Sequence, residues 1–231
     1  MTDRSDGVGR GGIRLHHVPF SRSFRVLWLL EELGLSYEVA EYDIRDGSLR
    51  GTFQELSPAG RVPALEVNGQ VLFESGAIHE YLCEVYPGAG LGRAPGTIQR
   101  TRFLEAVHFA ETMAGCIEQL NIQHVFLRDP AQASPMVIKL MTARLAGTLK
   151  AMERLLEGQA FLVADGFSAA DTMMGFNLFA APYFVPFDAY PGLVAYRRRL
   201  ESRPAYLRAR ARDGVQRFYT RAFYPVPEVQ V

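Results

Sequence analysis

Along residues 13–86 the spacing of apolar positions changes period several times. The run IRLHHV at 13–18 is apolar, β-capable and bounded by Pro19, which predicts a strand. From Ser21 onward Val26, Leu27, Leu29, Leu30 and Leu33 recur at helical spacing, and Gly34 supplies a stop. YEVAEYD at 37–43 alternates like a second strand, and 45–56 reads as short helix or irregular chain. ALEV at 64–67 and VLF at 71–73 flank Asn68-Gly69, the signature of a type I′ hairpin. A helical run then starts at Ser75 and carries Ala77, Ile78, Tyr81, Leu82 and Val85. The order is β-α-β, a β-hairpin and a helix.

Beyond residue 86 the alternation disappears. PGAGLGRAPG at 87–96 is a Pro/Gly segment that predicts a flexible linker. Helical spacing then marks four candidate helices at 101–127, 135–157, 168–181 and 193–211. The expected organisation is a Gly-rich disordered leader at 1–12, an α/β domain at 13–86, the linker, and an all-helical domain at 97–231.

Charge sharpens that division. The chain of 231 residues carries 25 Lys+Arg and 25 Asp+Glu. Residues 13–86 hold 6 basic and 11 acidic side chains, whereas 97–231 hold 16 and 12, so the neutral total joins two unlike halves. Nine Arg crowd into 197–221 against Glu201 and Asp213 alone. Charges strewn along an amphipathic helix form a solvated face, so the run is not read as a nucleic-acid surface and no nucleic-acid partner is expected. The longest apolar stretch, 176–187, is too short to span a bilayer and contains Pro182 and Pro186, and no apolar signal core opens the chain. Cys83 and Cys116 form no CxxC and no disulfide framework. A soluble, cytoplasmic protein in a reducing compartment is expected, away from membranes.

The chemistry-bearing positions are few. GVGRGG and GAGLGRAPG lack the strand-to-helix context that a nucleotide phosphate needs. His16 and His17 are neighbours on a strand and point to opposite faces, so they do not share a metal, and no metal site is expected. Between the first strand and first helix lies Pro19-Phe20-Ser21-Arg22-Ser23-Phe24-Arg25. A hydroxyl there faces free backbone N–H groups and the positive end of a helix, a setting that favours a thiolate, although Ser21 or Ser23 also suits a simple cap. Pro63, opening a strand after a Gly turn, is a candidate cis peptide or an ordinary edge proline. Glu74-Ser75 before a helix read as an N-cap with an acidic neighbour, or as a polar pair that grips an amino-acid head group.

Five segments, SRSFRVLWLLEELGLSYE, LSPAGRVPALEVNG, LFESGAIHEYL, FSAADTMMGFNL and YPGLVAYRRRLESRPAYLRA, occur in this order across most of 13–211. Together they resemble the cytosolic glutathione S-transferases, in a bacterial or fungal rather than a mammalian tyrosine form. The resemblance implies a thioredoxin-like N-terminal domain, a helical C-terminal domain and a homodimer. It implies glutathione as co-substrate, with Val62 pairing its backbone with the cysteinyl part beside a cis Pro63. Glu74 and Ser75 would hold the γ-glutamyl end, and Arg61 a carboxylate. Ser21, with Ser23 as rival, stands where serine-type members carry the hydroxyl that hydrogen-bonds the sulfur.

The reaction implied is attack of the activated thiol on an apolar electrophile, a hydrophobic small molecule, in a detoxification role. The same scaffold also supports disulfide or peroxide reduction, ether cleavage, or a glutathione-binding regulator. His108, Phe109, Met113 and Ile117 on the first long helix are candidates for the second-substrate pocket, or core. Phe218, Tyr219, Phe223 and Tyr224 would close over that pocket or pack on the first domain. Ser168 followed by Asp171 reads as a capping box.

Overall fold

The computed structural model describes residues 12–227, so the expected leader lies, apart from Gly12, outside the described residues. The elements in order are β1 (Ile13–His17), α1 (Ser23–Glu32), β2 (Tyr37–Glu41), α2 (Phe53–Leu56), β3 (Ala64–Val67), β4 (Gln70–Phe73) and α3 (Ser75–Val85). The helices α4 (Ile98–Asn121), α5 (Pro135–Leu155), α6 (Ala169–Ala180), α7 (Pro191–Glu201) and α8 (Pro204–Arg212) follow. They form two compact units, one from the chain up to Tyr86 with Pro204–Val215, the other from Pro87–Arg203 with the chain from Gln216.

In the first unit the strands form one mixed sheet in the order β2-β1-β3-β4, with β1 and β2 parallel and the other pairs antiparallel. This is the thioredoxin-like arrangement expected for this half. Asn68 and Gly69 both adopt positive φ, 52° and 74°, as a type I′ turn requires. Leu15, Leu65, Leu27, Leu30, Ile78 and Leu82 are completely buried between sheet and helices. Each contributes about 1.5–3 kcal/mol by leaving water.

Helix α1 is buried from Ser23 to Leu30, on more than the one face its periodicity announces. The second face is covered by α8, whose Tyr206 meets Trp28 and Phe24 edge-on at 5.0 and 5.7 Å between ring centres. The candidate helix at 193–211 is therefore two helices, α7 and α8, in different units. Pro204 explains the break, since it lacks an N–H and disfavours helical backbone in the residue before it.

The second unit is helical throughout. Thr97 caps α4 by accepting from Arg100 N–H, and Ser134 caps α5 by accepting from Val137 N–H. Helix α6 is apolar nearly all round and buried, and the Asn177 amide ties it to α4 by donating to Ala110 C=O at 2.7 Å. At its start the Asp171 carboxylate accepts from Ser168 N–H at 2.8 Å and from the Ser168 hydroxyl at 3.1 Å. It also accepts from Tyr196 hydroxyl and Leu162 N–H, so the capping motif is a buried junction.

Two expectations change here. The 87–96 segment is not loose chain: Leu91 is buried and accepts from Ala169 N–H, while Arg93 pairs with Asp165 and donates to Gly90, Gly92 and Gly166 carbonyls. The aromatic tail packs within the helical unit, where Tyr219 stacks on Tyr183 at 3.9 Å and Tyr224 N–H donates to Tyr183 C=O.

Candidate functional site

The register places three predicted features at one end of the sheet. His16 of β1 pairs with Ala64 of β3, and Ala64 with Phe73 of β4. The loop after β1, the residues before β3 and those after β4 therefore share that end, which brings the regions of Ser21, Val62 and Ser75 together.

The loop after β1 turns sharply, with Phe20 at φ 57° and Ser21 N–H donating to Val18 C=O. Ser21 is half-buried, whereas Ser23 is completely buried. The Ser21 Oγ accepts from Ser23 N–H at 3.2 Å, so its capping role and its exposure at the helix start belong to one hydroxyl. Its other partner is Ser23 Oγ at 2.8 Å. Ser23 Oγ in turn lies 2.8 Å from His17 Nδ1 and accepts from Val18 N–H. His17 Nε2 meets both Asp213 C=O at 3.1 Å and Asp213 Oδ1 at 3.2 Å.

Asp213 also accepts from Phe20 N–H and from Arg210 Nη1 at 2.6 Å, which leaves its carboxylate fully engaged. Gly214 makes this approach possible: at φ 92° it occupies backbone that other residues rarely adopt, and a Cβ there would fall 2.9 Å from Pro19 Cγ.

The Val62-Pro63 peptide is cis, and the paired residues of β3 begin one position later at Ala64. Arg61 is exposed, and the Ser57 hydroxyl donates to its carbonyl at 2.7 Å. Glu74 is exposed at φ 69°, a left-handed conformation that costs a non-glycine residue on the order of 1–3 kcal/mol and persists where the surroundings enforce it. Ser75 is buried, and its Oγ accepts from Arg25 Nη1 at 3.0 Å. Arg25 has no exposed surface at all. Arginine is seldom fully buried, so sequence reasoning left Arg25 aside. The only hint was its place among residues at helical spacing that all face inward.

In the helical unit Phe109, Met113 and Ile117 follow one another at four-residue intervals on one side of α4, with Met113 and Ile117 buried in the core and Phe109 half-buried. His108 is exposed, apart from that row. His124 lies beside Phe184 and Tyr224, where burial first and Arg221 second lower its pKa. His16 contacts Tyr42 and Glu66 while His17 faces Asp213, the opposite orientations expected of strand neighbours. Among the described residues no group of three or more His, Cys, Asp or Glu is arranged to hold a metal, and no helix is long and apolar enough to cross a membrane.

At least five of the nine arginines of the 197–221 run make internal contacts. Arg197 pairs with Glu201, Arg208 and Arg212 with Glu31, and Arg210 with Asp213, while Arg203 stacks 3.5 Å above Phe167.

Residues 11–84 match the family model "Glutathione S-transferase, N-terminal domain". A maleylacetoacetate isomerase of Pseudomonas aeruginosa is 33% identical over 196 residues, spanning 81% of this chain and 90% of that protein. Glutathione S-transferase 3 of Zea mays is 30% identical over 166 residues, spanning 69% and 73%. Among solved structures, a glutathione transferase from Methylococcus capsulatus superposes with TM-score 0.78 at 26% identity, covering 87% of this chain and 98% of that one. By its fold and these relatives the chain belongs to the glutathione S-transferase family and is an enzyme of that family.

Proposed function

We propose that this enzyme binds glutathione along the end of its sheet and conjugates the tripeptide through its thiolate to an apolar electrophile. The observation that carries this reading is the half-buried Ser21 hydroxyl at the start of α1, beside the turn at Phe20. In it Ser21 donates a hydrogen bond to the sulfur, with Ser23 held too deep to do so. Lowering a thiol pKa by one unit corresponds to about 1.4 kcal/mol, within reach of one charge-assisted hydrogen bond and a helix terminus.

Val62 offers its backbone to the cysteinyl part beside cis Pro63, and Arg61 a cation to a carboxylate. Glu74 takes the γ-glutamyl ammonium and Ser75, steadied by Arg25, its carboxylate. Phe109, next to the buried Met113 and Ile117, is the half-buried apolar side chain of its row on α4, and His108 has no part in that row. A homodimer belongs to the same reading, supported by the half-exposed Val71 and Phe73 on edge strand β4, 43% and 44% accessible. The two buried free cysteines suit a reducing cytoplasm.

Ser21→Ala tests the reading: a loss of kcat/KM for chlorodinitrobenzene of about 10²-fold supports it, and unchanged turnover refutes it. The isomerase relative favours one further reaction at the same site, in which the thiolate adds to a conjugated double bond and departs after rotation. Isomerisation of a cis enone acid without net consumption of glutathione would identify it.

A further inference from the structure

We infer that Ser23, His17 and Asp213 form a buried proton relay behind Ser21, with His17 as the resting place of the glutathione thiol proton. This rests on the assignment of Ser21 as the hydroxyl that meets the sulfur.

The direction of each hydrogen bond follows from which atoms have protons to give. His17 Nε2 faces only acceptors, the carbonyl and carboxylate oxygens of Asp213, so Nε2 carries a hydrogen. In the neutral ring Nδ1 is then an acceptor, and the hydroxyl 2.8 Å away, that of Ser23, donates to it. Val18 C=O competes for the same proton only at 3.2 Å. With its proton turned to His17, Ser23 Oγ accepts from Ser21, whose own oxygen keeps a lone pair outward. Resting donors thus run from Ser21 to Ser23 to His17 to Asp213.

A thiol donating to Ser21 completes a chain along which each proton moves by one link. The S–H bond breaks and a bond to Ser21 Oγ forms. The Ser21 proton passes to Ser23 Oγ, and the Ser23 proton to His17 Nδ1. Thiol and neutral imidazole become thiolate and imidazolium, with no change in total charge. The hydrogen bonds linking the sulfur, Ser21, Ser23 and His17 Nδ1 are reversed, while His17 Nε2–H still donates to Asp213, so Ser21 now donates to the sulfur it has deprotonated.

The surroundings fit the charged end state. His17, Ser23 and Asp213 are all without exposed surface, and Asp213 lies against the imidazole as its counter-ion. The other charged groups nearby are Arg210, which pairs with Asp213 from α8, and Glu41, registered with His17 on the neighbouring strand β2. Ser23, His17 and Asp213 act through Ser21 and are positioning residues.

The test is a double-mutant comparison in the full-length enzyme, reading the ultraviolet pH titration of the bound glutathione thiol, kcat/KM with chlorodinitrobenzene, and affinity for S-methylglutathione, which has no thiol proton. Ser23→Ala and Asp213→Asn are expected to raise the apparent pKa of the bound thiol and to lower kcat/KM about tenfold or more. Affinity for S-methylglutathione should hold, Ser23→Thr should restore the thiol titration, and neither variant should alter it further in a Ser21→Ala background. If Asp213→Asn fails to fold, the Ser23 pair carries the test. An unchanged titration in folded Ser23→Ala, or an effect of equal size with and without Ser21, overturns the relay. An unshifted thiol in Ser21→Ala alone overturns the serine assignment beneath it.

Discussion

The imidazole Nε2 of His17 lies 3.2 Å from the carboxylate of Asp213 and 3.1 Å from its backbone carbonyl oxygen, 196 positions away in the chain, with both side chains fully buried. The contact closes the sheet end of the first unit by returning chain from beyond the helical unit, and it sits directly behind the loop that presents Ser21. Local folding and site chemistry are coupled there.

Gly214→Ala should expose that coupling. The added Cβ meets Pro19 at 2.9 Å in backbone of positive φ, so strain and a steric clash add. A destabilisation of about 1–3 kcal/mol is expected in chemical unfolding. Turnover should fall beyond the loss of folded protein, because Asp213 is displaced from the loop.

Arg25→Met removes the buried guanidinium that holds Ser75. The thioether fills much of the volume, but Ser75 loses its donor at 3.0 Å. The KM for glutathione should rise about tenfold with a smaller change in kcat, since Ser75 lies at the proposed glutamyl end and away from the sulfur. An unchanged KM would detach Arg25 from the site.

Glu31 gives the first unit a dependence on acid. Burial raises its pKa, but the Tyr37 hydroxyl at 2.6 Å and the nearby Arg208 and Arg212 outweigh it, leaving the carboxyl below its ordinary value of 4.5. A depressed folded pKa means stabilisation that is full above the unfolded value and lost as pH falls through the folded one. Both arginines are about half exposed, which limits the gain to roughly 1 kcal/mol or less. Glu31→Gln should lower stability at neutral pH and flatten the acid limb, and added salt should narrow the difference from wild type.

Asp171→Asn separates folding from chemistry. The carboxylate accepts from Ser168, Leu162 and Tyr196 inside the helical unit, so its loss should cost about 2–4 kcal/mol. The remaining folded enzyme should keep its KM for glutathione.

The strands and hairpin were legible because their signals are local: Pro19 ends one run, and Asn68-Gly69 fixes a turn by needing two positive φ values. The serines, Val62-Pro63 and Glu74-Ser75 stood out because they cluster at element boundaries. The role of His17 was not legible, since its partner arrives from position 213 and strand alternation says only which way a side chain points. Arg25 was hidden by its residue type, and the separation of α7 from α8 by a helical period that runs on across Pro204. Met113 and Ile117 could be read as core or pocket from spacing alone; both are buried in the core.

The central claim is that this site converts bound glutathione to its thiolate. The direct measurement is the pH titration of glutathione thiolate absorbance in the wild-type complex against free glutathione. The account predicts a midpoint at least one unit below the free thiol, corresponding to about 1.4 kcal/mol of thiolate stabilisation. A bound thiol that titrates with the free one would contradict it.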